Sequence, residues 1–187
     1  MAHLLLYYGS TEGQTRKIAR YMADVMRQRG HIVTLADGEA ASARPEEMDA
    51  IVVGGSLHAG RHQRSVRDFV RRHREALSDR PSAFFSVSLT AALGDERHQA
   101  EIDAVVQAFL DEVDWHPDEV ATIGGALRYT QYGFLKRFLM KQISRRNGGP
   151  TDTSRDYEFT DWDRVRAFVK RLLDRVERAD TTPSARV

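Results

Sequence analysis

The chain has 187 residues, of which 41% are hydrophobic and 29% are charged, and its formal net charge is +1. These values are typical of a globular domain long enough to bury a full core. Because the chain contains no cysteine, disulfides, thiolate metal sites and a thiol nucleophile are excluded, and a reducing cytoplasm is expected. We expect no secretory signal, and no apolar run approaches the roughly 18 residues of a membrane-spanning helix.

The first predicted strand, residues 4–8, leads into a small, hydroxyl-rich loop (residues 10–15), and an amphipathic helix follows. Such a junction forms an anion site, because a helix N-terminus presents unpaired N–H groups and the positive end of its dipole. The loop lacks the lysine of the Walker A motif and the G-x-G-x-x-G pattern. Hydroxyl groups without a lysine suit a monophosphate, although they could also simply cap the helix. The candidate residues are Ser10, Thr11, Glu12, Gly13, Gln14 and Thr15.

The rest of the chain alternates between predicted strands and helices. Apolar runs at residues 31–36, 49–55, 82–88 and 120–124 predict four more strands, and the run at 49–55 is typical of a buried parallel strand. Apolar residues at helical spacing predict helices over 66–77, 102–113 and 162–176. The alternation predicts one doubly wound α/β domain over residues 1–178, with a polar, disordered tail at 179–187.

In a doubly wound sheet, a ligand binds beyond the carboxyl ends of the strands, where the strand order reverses. The loops after the first, third and fourth strands are therefore expected to meet around the ligand. The loop after the third strand is small and flexible enough to pass beside a flat ring. Amides and hydroxyl groups after the fourth strand could contact the ring's polar edge. The candidate residues are Ser56, Leu57, His58, Ala59 and Gly60, followed by Ser86, Val87, Ser88 and Leu89.

Two histidines four residues apart, His58 and His62, have a spacing that is found in helical metal pairs. No third ligand accompanies them and they fall at a predicted loop-to-helix junction, so we expect no metal site. His58 could donate to a reduced ring or be an ordinary loop residue. His73, on an apolar helix face, is expected to be a core histidine.

An insert of about residues 128–156 separates the fifth strand from the last helix. Within it, five apolar residues share one helical face, and basic residues mostly surround that face. The helix could pack on the domain with a solvated cationic side, or present a surface to anionic lipid or to an anionic, apolar substrate. The candidate substrate or membrane residues are Arg128, Tyr129, Phe134, Lys136, Arg137, Phe138, Lys141 and Arg145.

Taken together, these motifs resemble the flavodoxin-like, quinone-dependent protoporphyrinogen IX dehydrogenases of bacterial haem synthesis. The order Ser-Thr-x-Gly-x-Thr in the hydroxyl-rich loop resembles the FMN-phosphate loop that all flavodoxins share. The basic insert followed by Gly-Gly-x-Thr-Asp-Thr is a more specific point of resemblance to these dehydrogenases. The resemblance covers the chain up to residue 178. It rests on residues 10–15, 54–60, 81–89, 125–129, 148–153, 157 and 160–162.

This resemblance implies a flavodoxin-like α/β fold with a five-stranded parallel sheet of order 2-1-3-4-5. It implies that the protein binds FMN, oxidises protoporphyrinogen IX to protoporphyrin IX and passes the electrons to menaquinone or ubiquinone. No catalytic side chain is expected, because the flavin performs the redox chemistry. The expected location is the cytoplasm, peripherally on the inner face of the cell membrane, and no nucleic-acid partner is expected.

Three other functions stay open at the level of sequence. An electron-carrier flavodoxin would be strongly acidic, so that it could dock on basic partners, and the net charge of +1 argues against that role. A flavodoxin-fold NAD(P)H:quinone reductase and a non-enzymatic, membrane-associated binding module remain as alternatives.

Overall fold

The computed structural model describes residues 1–38, 44–92, 96–146 and 148–181. Helices and strands alternate along the chain, as the apolar periodicity predicts. The strands are β1 (His3–Gly9), β2 (Ile32–Asp37), β3 (Ala50–His58), β4 (Arg61–His62), β5 (Ser82–Ser88), β6 (Glu119–Gly124), β7 (Ala126–Leu127) and β8 (Tyr157–Glu158). The helices are α1 (Gln14–Gln28), α2 (Arg64–Arg72), α3 (Arg74–Ser78), α4 (Glu96–Val113), α5 (Phe134–Arg146) and α6 (Trp162–Thr181).

A parallel sheet with the order β2-β1-β3-β5-β6 forms the centre of the fold. Counting these strands alone along the chain, the order is 2-1-3-4-5, which confirms the prediction. The register aligns Gly9 of β1 with Gly55 of β3, and Gly55 with Ser86 of β5. The carboxyl ends of these three strands therefore lie at one edge of the sheet, where the loops that follow them meet.

The two faces of the sheet are covered by different helices, because side chains alternate along each strand. From β1, Leu4 and Leu6 join a buried cluster with residues of α1 and α6. Leu5 joins a second buried cluster that contains residues of α2, α3 and α4, together with Trp115. This arrangement is the doubly wound layout that the sequence predicts.

A glycine in β3 makes room for an aromatic ring on the neighbouring strand β5. The ring of Phe85 lies where a Cβ atom on Gly54 would be, so that any larger residue at position 54 would overlap it. Phe85 is itself completely buried. The glycine is therefore required by the close approach of a neighbouring aromatic ring.

Three local predictions are wrong. The helix predicted over 66–77 is divided into α2 and α3, because His73 between them has non-helical dihedral angles of φ −113° and ψ 24°. His73 is also only partly buried and lies 2.7 Å from a Glu46 carboxylate oxygen, so it is not a core histidine. Finally, α6 continues to Thr181 and makes the start of the predicted tail helical, while residues 182–187 lie outside the described part.

Candidate functional site

The hydroxyl-rich loop joins β1 to α1 and closes on itself. Gly13, at the N-cap of α1, has a positive φ of 87°, which glycine adopts without strain. The hydroxyl oxygen of Ser10 accepts hydrogen bonds from the backbone N–H groups of Gly13 at 3.1 Å and Arg16 at 3.4 Å. Ser10 therefore acts as a cap, the alternative that the sequence left open for this loop. No acidic residue stands in the first turn of α1, so the positive end of the helix dipole keeps its attraction for an anion.

A cavity of about 350 Å³ lies where the loops after β1, β3 and β5 meet. It brings together most of the candidate residues, including Thr15, which is buried in the first turn of α1. The predicted residues that line it are Glu12, Gln14, Thr15, Ser56, Leu57, His58, Ala59, Gly60, Val87, Ser88 and Leu89. It is also lined by Thr90, which follows Leu89 in the predicted loop after the fourth strand, and by five residues that sequence reasoning missed, which are Gly125, Ala126, Tyr132, Met140 and Ile143.

The loop after β3 is a tight antiparallel hairpin in which His58 pairs with Arg61 and Leu57 pairs with His62. Its tip residues, Ala59 and Gly60, have positive φ angles of 49° and 74°. The hairpin replaces the loop-to-helix junction that the sequence predicted for the two histidines. In the described part of the chain, no three His, Cys, Asp or Glu residues are grouped so that they could hold a metal ion.

His62 lies beneath the site, with 4% of its surface exposed. Its Nε2 is 2.9 Å from the hydroxyl of Ser86, and its ring contacts those of Phe84 and Phe109. Burial, and secondarily the charge of Arg67, lowers the pKa of His62 to about 4, so the ring is neutral at neutral pH. No separate signal in the sequence predicts the burial of His62, because a buried histidine and an exposed one look the same in a short polar stretch.

The position of Ser86 corrects a prediction about the cofactor loops. Its side chain is completely buried and does not line the cavity, because its hydroxyl group meets His62 below the site. Ser86 therefore supports the loop from beneath, while its neighbours Val87, Ser88 and Leu89 line the cavity.

Comparison with known proteins agrees with this geometry. The family model described as a flavodoxin domain matches residues 5–154. The Escherichia coli K12 protein named protoporphyrinogen IX dehydrogenase [quinone] is 34% identical over 169 residues, which cover 90% of this chain and 93% of that protein. A Leishmania major protein of the same name is also 34% identical over 169 residues, covering 88% of this chain and 72% of the relative. The chain belongs to the flavodoxin-like protoporphyrinogen IX dehydrogenase family.

Solved structures confirm the fold of this family member. The match to oxidised flavodoxin 1 from Bacillus cereus covers 92% of this chain and 97% of that protein, with a TM-score of 0.55 and 16% identity. The match to a Fusobacterium nucleatum flavodoxin solved with bound flavin mononucleotide covers 96% of this chain and 97% of that protein, with a TM-score of 0.51 and 8% identity. At such low identity these structures show the fold alone.

The insert of this dehydrogenase family member turns several predicted contact residues inward. Tyr129 is completely buried and donates its hydroxyl hydrogen to the Pro150 carbonyl at 2.9 Å, so it cannot contact substrate or membrane as predicted. Arg137 donates hydrogen bonds to the carbonyl oxygens of Tyr129 and Tyr132 at 2.9 and 3.0 Å. The guanidinium of Arg128 is also held within the protein, by Gln14 and by acidic residues.

Helix α5 presents an apolar face to solvent, which is unusual for a helix of a globular domain. Phe134 and Leu135 are 89% and 79% exposed, and Phe138 and Leu139 are more than half exposed. Lys141 and Arg145 are exposed on the same helix, while the side chains of Lys136 and Arg146 lie outside the described part. Among the described residues, no helix is both long enough and apolar enough to cross a bilayer.

A second cavity, also of about 350 Å³, lies beside the first. The two cavities share the wall residues Leu89, Thr90, Met140 and Ile143. As far as the described residues define it, the lining of the second cavity carries no charged side chain. Its remaining lining residues are Ala92, Leu127, Ser144, Gly148, Gly149, Pro150 and Phe159.

Proposed function

We propose that this protein binds FMN and oxidises protoporphyrinogen IX to protoporphyrin IX, with a quinone as the electron acceptor. Membership of the dehydrogenase family supports the reaction, since the relatives carry that name. The observation that carries the proposal in this chain is the pair of adjoining cavities, one bordered by the hydroxyl-rich loop and the other apolar.

The residues of the first cavity fit FMN. The start of α1 would offer backbone N–H groups and a helix dipole to the phosphate, and Thr15, in the first turn of that helix, lines the cavity. A cavity of about 350 Å³ falls within the usual range of roughly 300–1,000 Å³ for small-molecule sites. We propose that the hairpin at Leu57–Gly60 lies along one side of the flavin ring and that Ser88 and Leu89 contact its polar edge.

The second cavity suits part of an apolar macrocycle, which would lie against α5 with its two propionates directed outward. Lys141 and Arg145 are exposed on that helix and could attract the carboxylates. Bound FMN would supply the redox chemistry: the conversion removes six electrons and six protons from the macrocycle in three two-electron oxidations, and each of them reduces one quinone to a quinol. The protein's own residues then have to orient the macrocycle and exclude water, which is consistent with the apolar shared wall.

Turnover under anaerobic conditions tests the reaction. Protoporphyrinogen IX with a quinone should give porphyrin, detected by its absorbance, whereas NADPH with the same quinone should give no oxidation. NADPH oxidation without porphyrin formation would instead support the NAD(P)H:quinone reductase alternative. A purified protein without the visible spectrum of a flavin, even after incubation with FMN, would contradict the proposed cofactor.

We further propose that α5 docks peripherally on the anionic inner face of the cell membrane, which would bring the site close to menaquinone or ubiquinone. Its exposed apolar residues supply burial, and each nearby cation adds about 1 kcal/mol at an anionic surface.

Sedimentation with anionic and neutral vesicles tests the docking. The double change Leu135→Gln and Phe138→Gln should abolish binding to anionic vesicles. High salt should weaken the binding of the wild-type protein to the same vesicles. Ile32→Gln is the matched control, because Ile32 is an exposed apolar residue of β2, at 46% exposure, outside α5. Equal recovery of wild-type protein in the supernatant with both vesicle types would refute the docking.

A further inference from the structure

The insert leaves and rejoins the domain through two short segments, residues 126–132 and 156–160, which together form the insert base. β7 and β8 pair antiparallel within it, so that Ala126 lies opposite Glu158 and Leu127 opposite Tyr157. This pairing brings both segments to the same end of the sheet as the hydroxyl-rich loop. The two longest polar side chains of that loop, Glu12 and Gln14, are both hydrogen-bonded to the insert base.

The first contact joins Tyr132 to Glu12. The hydroxyl of Tyr132 donates to the Glu12 carboxylate at 2.6 Å and accepts from the backbone N–H of Arg128 at 3.2 Å. Both Tyr132 and Glu12 line the first cavity, and only 5% of Tyr132 is exposed. Burial and the hydrogen bond to Glu12 raise the pKa of Tyr132, so its hydroxyl remains a proton donor at neutral pH. The direction of an anionic side chain in the loop is therefore set by the insert.

The second contact fixes the side-chain amide of Gln14 from two sides. The Arg128 guanidinium donates to its oxygen at 2.7 Å, and its nitrogen donates to the Thr160 hydroxyl at 2.8 Å. Thr160 in turn donates to the carbonyl of Gly124 at 2.7 Å, at the end of β6. The other side of Arg128 lies 3.7 Å from an Asp156 carboxylate oxygen. Gln14 is 5% exposed, so its amide is held in one orientation inside the protein.

We infer that the insert base positions the hydroxyl-rich loop for a phosphate, with Tyr132 and Arg128 as positioning residues that favour FMN over riboflavin. A phosphate site depends on N–H groups already held in place, because ordering a loop during binding costs affinity. Within the loop, Ser10 accepts the bonds of two backbone N–H groups, and the insert base holds the two longer side chains. The carboxylate of Glu12 would repel a phosphate that it approached, so holding that carboxylate in one direction protects the affinity for FMN.

This inference rests on the proposed binding of FMN and can be tested by comparing two flavins, because riboflavin has the same ring but no phosphate. Tyr132→Phe keeps the aromatic packing and removes only the hydroxyl. In the full-length protein freed of flavin, we expect the Kd for FMN to rise about tenfold. The Kd for riboflavin should stay within about twofold, because the removed hydroxyl holds Glu12 of the hydroxyl-rich loop, whereas the aromatic ring at position 132 still lines the cavity. Arg128→Lys, which keeps the charge but shortens the reach to Gln14, should act in the same direction.

Two further variants separate positioning from general destabilisation. Adding Glu12→Gln to Tyr132→Phe should restore much of the FMN affinity, since the neutral side chain no longer repels a phosphate. Tyr21→Phe is the matched control and should change neither Kd, because the Tyr21 hydroxyl accepts a surface hydrogen bond from Arg166 at 3.1 Å and Tyr21 does not line the first cavity.

A parallel rise in both Kd values for Tyr132→Phe, or no rise in either, would overturn the inference. Wild-type protein that binds neither flavin would refute the proposed cofactor and this inference with it. If the wild type instead binds FMN normally and Tyr132→Phe binds it equally well, only this inference is refuted and the proposed cofactor stands.

Discussion

The buried His62 predicts an unusual loss of stability in mild acid. Its pKa is lowered from 6.5 to about 4 in the folded protein, because burial disfavours the charged ring. The unfolded chain therefore binds the proton more readily than the folded one. The stability contributed by neutral His62 is fully present above pH 6.5 and is lost as the pH falls to about 4. At about 1.4 kcal/mol for each pH unit, the loss approaches about 3 kcal/mol.

Urea unfolding between pH 7 and pH 4, with excess FMN throughout, measures this effect. His62→Gln keeps an amide that can reach Ser86 but has no titrating ring, so its stability should fall by about 3 kcal/mol less than that of the wild type. Carboxylates with lowered pKa values, such as Glu119 and Asp156, titrate in both proteins and cancel in the difference. His116→Gln, at an exposed position, should follow the wild type. If the free energy of unfolding falls with pH equally in the wild type and in His62→Gln, the reasoning is refuted.

Three other changes have expected outcomes that follow directly from the contacts. Gly54→Ala should lower the free energy of unfolding by about 1–3 kcal/mol in urea titrations, because its Cβ would overlap the Phe85 ring, and an unchanged midpoint would contradict this packing. Thr15→Val should raise the Kd for FMN about tenfold or more in a flavin titration, and unchanged affinity would place the phosphate elsewhere. Replacing residues 134–146 by a short Gly-Ser linker, with Tyr132 retained, should leave a yellow, folded protein whose protoporphyrinogen oxidation falls by orders of magnitude. Turnover near that of the wild type would mean that α5 does not orient the substrate.

Much of the fold could be predicted because its signals are local. The β-branched run at 49–55 and the helical spacing of Ile102 and Val106 report the backbone conformation of their own segments. Alternation of such segments restricts the topology to a doubly wound sheet, in which the loops after particular strands have to meet. Half of the hydroxyl-rich loop and all of the residues at 56–60 and 87–89 line the first cavity, as this reasoning predicted.

The partners of individual side chains could not be predicted, because they depend on the path of the chain. Arg128 and Gln14 are separated by 114 positions, and they meet only because β7 and β8 pair and return the insert to the sheet edge. The same pairing accompanies the burial of Tyr129, which was predicted from the sequence to contact substrate or membrane. Ser86 and His62 likewise meet beneath the site because β4 folds back on β3.

The sequence by itself determined the order of the five central strands, the amphipathic character of α5 and the sheet edge at which the loops after β1, β3 and β5 meet. Whether the apolar face of α5 is buried or exposed was decided only by the tertiary structure, since packed and solvent-exposed amphipathic helices have the same sequence periodicity. Phe134 is 89% exposed because the described elements leave that face uncovered, although the periodicity alone is equally typical of a packed helix. Periodicity reports which side chains share a face, whereas burial depends on what the rest of the chain brings against that face.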